Sequence, residues 1–303
     1  MPAAKVALIP SLPIKDRYQE DWWLWWRDTL ISFGHEVETP SVPKPAPPKE
    51  GFTDIRRQLL WDFKVAGWLR RKQVDFAVLL DAFWHPATIS FLRLSLPKDK
   101  IFGYVHAGSY CRGDVQANEP FLSWERLAVG NCTLLVATNY HMHLLRREYP
   151  LAICKVVGFP VLVREIKAEK REQAVVVGIR KGKASPQTLS ELEALMKKRG
   201  VTLVRGIGMR RHQFWKVCAE SKWVISLAQE ETFGLAVAEA VKLGCVPIVP
   251  DAFAYAELYP PAYRYHYLEE IPEKMMLPLP PFPQLGDPPT VARLVRAVLQ
   301  SAF

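Results

Sequence analysis

Hydrophobic and polar positions along the chain alternate between short apolar runs and longer segments whose apolar residues recur at helical spacing. In the first half the runs "KVALIP", "HEVETP", "DFAVLLD", "IFGYVHA", "TLLVATN" and "CKVVGFP" read as strands. Between them lie helical segments such as "EDWWLWWRDTLISFG", "IRRQLLWDFKVAGWLRRK" and "EPFLSWERLAVGN". The second half repeats the order: "AVVVGI", "TLSELEALMKKRG", "VTLVRG", "RRHQFWKVCAES", "WVISLA", a helix within "ETFGLAVAEAVKLG", then "VPIVP". Strands alternating with helices in this way predict an α/β fold with parallel sheets. Two Rossmann-like doubly wound domains are expected, over residues 1–163 and 164–303, dividing within "FPVLVREIKAEKREQ" where apolar residues give way to charge. The Pro-rich "TPSVPKPAPPKEG" (39–51) reads as a loop inside the first domain, and the C-terminal helix can pack back on that domain. In such sheets ligands bind beyond the carboxyl ends of the strands, which is where chemistry is to be sought.

Composition narrows the class. The chain has 303 residues, 49% hydrophobic and 23% charged, as in a folded globular protein. No apolar run approaches the roughly 18 residues that span a bilayer, and the N-terminal apolar stretch is too short for a signal peptide, so a cytoplasmic, intracellular location is expected. The five cysteines form no C-x-x-C pair and cluster with no His, which fits a reducing compartment and gives no metal-ligand spacing. The net charge is +9, and residues up to 163 carry 20 basic against 16 acidic side chains, leaving 20 against 15 beyond. This mild, evenly spread surplus suits a polyanionic partner or a phosphate-bearing substrate as well as ordinary solvated surface.

The stretch "SLAQEETFGLAVAEAVKLGCVPIVPD" (226–251) concentrates the chemistry. Thr232 reads as a helix N-cap, leaving the amides of Phe233, Gly234 and Leu235 as first-turn donors for phosphate. Gly234 would open the approach to them. Glu231 stands at the mouth of this turn, and Glu239 lies inside the helix between Ala238 and Ala240, where a carboxylate needs a partner such as a ribose diol. On spacing alone, an N-capped amphipathic helix with an exposed Glu is the commoner arrangement.

Taken whole, the run resembles the nucleotide-sugar site of GT-B glycosyltransferases of the retaining family 4 type, at Glu231, Phe233, Gly234, Leu235, Glu239, Ala240, Gly244 and Pro247. The resemblance implies that Glu231 contacts the donor sugar, the amides at 233–235 serve the diphosphate, and Glu239 holds the ribose. It also implies a basic pair after the first strand of the second domain, for which "GIRKGKASP" offers Arg180 with Lys181 or Lys183. No metal and no cofactor is implied, only a nucleoside-diphosphate sugar as donor, a UDP- or GDP-hexose. A narrower likeness is to the tRNA-queuosine mannosyltransferases, through "VCAESKWVISLAQEETFGLAVAEAVKLGCVPIVPDAFAYAELYPPAYRY" with its Glu257, and more loosely through "GYVHAGSYCRGD" and "ATNYHMHLL". The chain departs from that group at its start, where "PSLPIKDRYQED" stands in place of a Gly-rich turn.

For the acceptor side, His106 ends the strand run "IFGYVHA" and is a candidate contact to the transferred sugar, a role the resemblance supports. At 100° per residue Trp22, Trp26, Leu30 and Phe33 share one helical face and read as core, while Trp23 and Trp25 flank it and could stack on a base. Asp81, closing "DFAVLLD", is the one candidate general base, and would imply inversion. The reading is therefore a hexosyltransferase acting on a hydroxyl of a modified base in tRNA or of a hydroxymethylated DNA pyrimidine. The alternatives are a polysaccharide, lipid or small-molecule acceptor, a nucleotide-sugar epimerase, and a catalytically silent binding protein.

Overall fold

The computed structural model describes residues 3–12, 18–42, 55–111, 119–180 and 183–301. The first sheet holds β1 (Lys5–Ile9), β2 (Glu36–Glu38), β3 (Phe76–Leu80), β4 (Ile101–Tyr104), β5 (Thr133–Val136) and β6 (Cys154–Val156) in the order β2-β1-β3-β4-β5-β6. The second holds β7 (Arg171–Val177), β8 (Thr202–Arg205), β9 (Ser221–Ser226), β10 (Val246–Pro250) and β11 (Arg264–Tyr265) in the order β11-β10-β9-β7-β8. Every pairing is parallel. Strand order reverses between β1 and β3 in one sheet and between β7 and β9 in the other, and these reversals open the two crevices where ligands can enter.

The central strands are apolar because both of their faces are covered; β3, "FAVLL", is buried at every position. Their side chains divide with period two. Val6, Leu8, Phe76, Val78 and Leu80 meet Trp22, Trp26 and Leu30 of α1 (Gln19–Ser32), whereas Ala7, Ile9, Ala77 and Leu79 meet Trp61, Val65 and Leu69 of α2 (Ile55–Leu69). Each buried Val, Leu, Ile or Phe among them contributes roughly 1.5–3 kcal/mol by leaving water. Further helices are α3 (Pro86–Leu92), α4 (Glu119–Asn131), α5 (Asn139–Glu148), α6 (Pro186–Lys198), α7 (Arg211–Glu220), α8 (Leu235–Lys242), α9 (Tyr255–Leu258), α10 (Ile271–Lys274) and α11 (Pro288–Gln300). The Pro-rich loop expected over 39–51 falls largely outside the described residues.

The chain passes from the first sheet to the second between Val156 and Arg171, and several contacts tie the halves together. The amides of Phe159 and Val161 donate to the carbonyls of Leu285 and Gly286 at 2.8 and 2.9 Å, just ahead of α11. Val291, Val295 and Leu299 of α11 join the core that contains Trp26 and Leu30, and the Arg296 guanidinium lies 5.5 Å over the Phe33 ring of the first half. Glu257, in α9, sits at the N-terminus of α5, accepting from the Asn139 amide (3.1 Å), the Asn139 side chain (2.7 Å) and the Tyr140 amide (3.2 Å). A carboxylate there answers orphan donors and the helix dipole at once. Within the second half, the Lys170 ammonium donates to the carbonyls of Cys218, Ser221 and Leu243, pinning the ends of α7 and α8.

Candidate functional site

A cavity of about 340 Å³ opens at the β7/β9 reversal, between the two halves of the chain. Tyr18 contributes from the first half. From the second come Gly178 and Arg180 after β7, Lys183, the Gly206–Met209 turn after β8, Arg211, Glu231, Leu235, Ala236 and Glu239. The site was expected beyond the carboxyl ends of the strands, and these residues occupy that place.

The turn after β9 differs in detail from the sequence reading. Thr232 does not cap the helix. Gly234 is the N-cap, with φ +75°, and α8 begins at Leu235. The first-turn residues that line the cavity are therefore Leu235 and Ala236, with Phe233 and Gly234 outside its lining, and the Val237 amide already donates to the Gly234 carbonyl at 3.0 Å. Thr232 instead bridges the halves: its hydroxyl donates to the His106 carbonyl (2.9 Å), and its own carbonyl accepts from the Thr138 hydroxyl (2.8 Å). Phe233 is buried against Phe159, ring centroids 5.7 Å apart, and belongs to the core. Gly234 is required by its backbone angle and by Tyr255, whose Cε1 would lie 2.5 Å from an added Cβ; room for a ligand is not the reason.

Lys183 reaches the cavity and forms a 2.8 Å ion pair with Glu231, while also donating to the Glu230 carbonyl at 3.2 Å. Arg180 lines the same wall and is exposed. Lys181 lies outside the described residues. Arg180, Lys183 and the first residues of α8 thus line one space, an arrangement suited to a diphosphate.

Glu239 is 4% exposed, and its partner is Arg211, which the sequence reading missed. The Arg211 Nε and Nη2 approach Glu239 Oε1 at 3.0 and 2.9 Å. The same guanidinium donates through Nη1 to Asp21 in α1 at 2.7 Å and through Nη2 to the Leu162 carbonyl at 2.9 Å, and it lies 4.5 Å over the Trp215 ring. Burial raises the Glu239 carboxyl above its ordinary range, and the charge and hydrogen bonds of Arg211 pull it back down. Both Arg211 contacts fall on Oε1, and Glu239 lines the cavity. Only its burial among alanines hinted, in the sequence, that a cation had to be found for it.

His106 stands next to this cavity without lining it. Its ring is held between the Tyr18 hydroxyl (2.8 Å from Nδ1) and Asp81 (3.3 Å from Nδ1), and Tyr18, a second residue the sequence reading passed over, carries the contact to the cavity wall. Asp81 has a left-handed backbone at φ 54° and is 9% exposed, sharing with His106 and Trp84 a recess of about 10 Å³. Asp81 is thus placed against His106, away from the cavity at the β7/β9 reversal. Trp23 and Trp25 are partly buried against the core, Trp23 beneath Arg27 at 5.5 Å and Trp25 edge-on to Trp26 at 5.6 Å; the structure does not bring them to the site. Phe83 and Trp84 line the small recess with His106, and Trp84 packs in turn against Phe121, tilted at 4.8 Å, and edge-on to Trp124 at 5.9 Å. Among the described residues no group of three or more His, Cys, Asp or Glu could hold a metal ion, and no helix is long and apolar enough to cross a membrane. The five cysteines are free and buried.

No family model matches the chain. A 94-residue stretch is 32% identical to a tRNA-queuosine alpha-mannosyltransferase of Drosophila melanogaster; it makes up 31% of this chain and only 25% of that protein. Among solved structures, a sucrose-phosphate synthase from Thermosynechococcus elongatus superposes with TM-score 0.60 at 14% identity, over 99% of this chain and 94% of that one. A glycosyltransferase of avilamycin A biosynthesis gives 0.57 at 15% identity, over 99% and 98%. A UDP-GlcNAc 2-epimerase from Methanocaldococcus jannaschii gives 0.52 at 12% identity, over 98% and 99%. Two parallel-sheet α/β domains with an interdomain cavity at the β7/β9 reversal, superposing almost end to end on such structures, have the GT-B fold.

Proposed function

We propose that the chain transfers a hexose from a nucleoside-diphosphate sugar, UDP- or GDP-linked, to a hydroxyl on a modified nucleic-acid base, with retention of anomeric configuration. The observation that carries this reading is the cavity at the β7/β9 reversal, which Arg180, Lys183, the helix start at Leu235 and Ala236, Glu231 and Glu239 line together. The partial likeness to a tRNA-queuosine alpha-mannosyltransferase supports a base in tRNA as acceptor, and a hydroxymethylated DNA pyrimidine has the same chemistry. The domains meet near residue 163.

In this reading the diphosphate lies against Arg180, Lys183 and the helix start, which stabilise the charge that develops as the nucleoside diphosphate departs. The ribose diol donates to Glu239, held in place by Arg211, and the base occupies the end formed by Gly206, Ile207 and Met209. Glu231 shares its ion pair with Lys183 and accepts from the sugar hydroxyls. His106, fixed by Tyr18 and Asp81, contacts the sugar near its reacting carbon. The acceptor oxygen forms the new bond to that carbon as the bond to the phosphate oxygen breaks, and its proton passes to a donor phosphate oxygen. Asp81 positions His106, so Asp81→Asn should retain the stereochemical outcome.

The test is mass spectrometry of nucleosides from tRNA and from hydroxymethylated DNA after incubation with GDP-mannose or UDP-hexoses. A nucleoside heavier by one hexose is the expected result, and its absence from every nucleic acid would refute the acceptor. The likeness to a UDP-GlcNAc 2-epimerase favours one second reading, interconversion of a free nucleotide sugar, which the same incubation without acceptor would reveal.

A further inference from the structure

The cavity accounts for a donor and leaves open how a nucleic acid would be held. α2 packs with Trp61, Val65 and Leu69 inward, so its amphipathic face is already used in the core. Its outward face carries Arg56, Lys64 and, in the turn that follows, Arg70 and Arg71, all exposed. Leu60 and Phe63, 55% and 62% exposed, lie among them. The one carboxylate on the helix, Asp62, is fully buried and accepts from the Ala87 and Thr88 amides at 2.6 and 3.1 Å. Among the described residues none of the four cations has an ion-pair partner, unlike Lys72 just beyond, which is paired with Glu38. Among the described residues the face is therefore of one sign.

Its position matters as much as its sign. Trp61 Nε1 donates to the Pro10 carbonyl, just past β1, and Asp62 holds the start of α3, just past Asp81 and Trp84. The middle of α2, at Trp61 and Asp62, thus stands beside the carboxyl ends of β1 and β3, close to the recess that Asp81, Trp84 and His106 share. From Arg56 to Arg71 the cations extend over roughly 22 Å at 1.5 Å per residue. At 3.4 Å per nucleotide this is about six steps of a strand.

We propose that the outward face of α2 is the docking surface for the phosphate backbone of the nucleic-acid acceptor, leading one strand to the cleft rim. This rests on the hexosyltransferase reading for the identity of the substrate, though the surface is defined independently of the donor cavity. Four cations spread along a helix with two apolar side chains favour a linear polyanion over a membrane surface, which would need a continuous outward apolar face.

The test uses the full chain and two variants, with bulk tRNA as probe in filter binding at 50 and 200 mM KCl. One variant carries Arg56→Gln, Lys64→Gln, Arg70→Gln and Arg71→Gln; the other carries Leu60→Ser and Phe63→Ser. Circular dichroism checks the fold of each, and calorimetry with UDP and GDP reports the donor cavity. Four phosphate contacts to one strand correspond to a slope of about −2.8 in log K against log salt, so this fourfold salt increase should weaken the parent roughly 50-fold more than the Gln variant. UDP or GDP affinity should change by less than twofold. Equal tRNA affinity and equal salt slope in the parent and the Gln variant would overturn the proposal. So would a parent that ignores tRNA and instead binds phosphatidylglycerol vesicles through Leu60 and Phe63. A parent that binds tRNA through this face but neither nucleoside diphosphate would sustain the docking surface while sinking the donor site.

Discussion

Replacing Arg211 by Ala removes the guanidinium that joins Glu239, Asp21 and the Leu162 carbonyl. The change leaves a carboxylate only 4% exposed without its cation. Removing one partner of such a buried pair costs about 3–5 kcal/mol, because the remaining charge cannot regain its hydration. For a domain of this size 1 kcal/mol lowers Tm by about 2–4 °C, so a drop of roughly 6–20 °C is expected. The sign of the pH response follows from the carboxyl itself. Burial raises Glu239 above its unfolded value, so the native state binds the proton more tightly and stability falls as pH rises through the window between the unfolded and folded values. Losing Arg211 raises the folded value further and widens that window, making Arg211→Ala relatively more stable at pH 5 than at pH 8. Thermal melts across this range, with Glu239→Gln added to Arg211→Ala as the second arm, provide the assay. Glu239→Gln should recover much of the loss, since a neutral amide needs no cation. An Arg211→Ala protein within 1 kcal/mol of the parent at both pH values, with unchanged nucleotide affinity, would refute the assignment.

Glu231→Ala should abolish sugar transfer while leaving UDP or GDP affinity by calorimetry within a few-fold, whereas Glu239→Ala should weaken nucleotide binding itself. Gly234→Ala places a side chain at φ +75° and a Cβ 2.5 Å from Tyr255, so the backbone alone costs about 1–2 kcal/mol and the overlap adds to it; equilibrium denaturation should show the loss. His141, fully buried with the Tyr110 hydroxyl 2.8 Å from Nε2, is held down to about 3 by burial and by His106. Its native state favours the neutral ring, so stability present above pH 6.5 should fall as pH drops towards 3, by at most about 5 kcal/mol, and His141→Gln should flatten that limb of the melting profile. Trp22→Ala, at a position 1% exposed, should cost about 3–5 kcal/mol, while Trp23→Ala should cost far less and leave nucleic-acid binding unchanged.

The sequence by itself determined the alternation of elements, the two parallel sheets and the neighbourhood of the site. The helix proposed over "EPFLSWERLAVGN" is α4, residue for residue, and the strands β1 and β3 to β5 lie within the runs proposed for them, because apolar periodicity is a local property that burial must respect. Short elements such as α3, α9 and β11 carried too little pattern to be read. Tertiary structure alone decided how the site is wired. Glu239 and Arg211 are 28 positions apart and Arg211 and Asp21 are 190 apart, and no spacing rule links them. The cap after β9 moved from Thr232 to Gly234 because the Thr232 hydroxyl found the His106 carbonyl, 126 residues away, before it could serve its own helix. Trp23 and Trp25 turned to the core for a similar reason: a flanking position on a helix says which way a side chain points, and only the neighbouring elements say whether anything covers it.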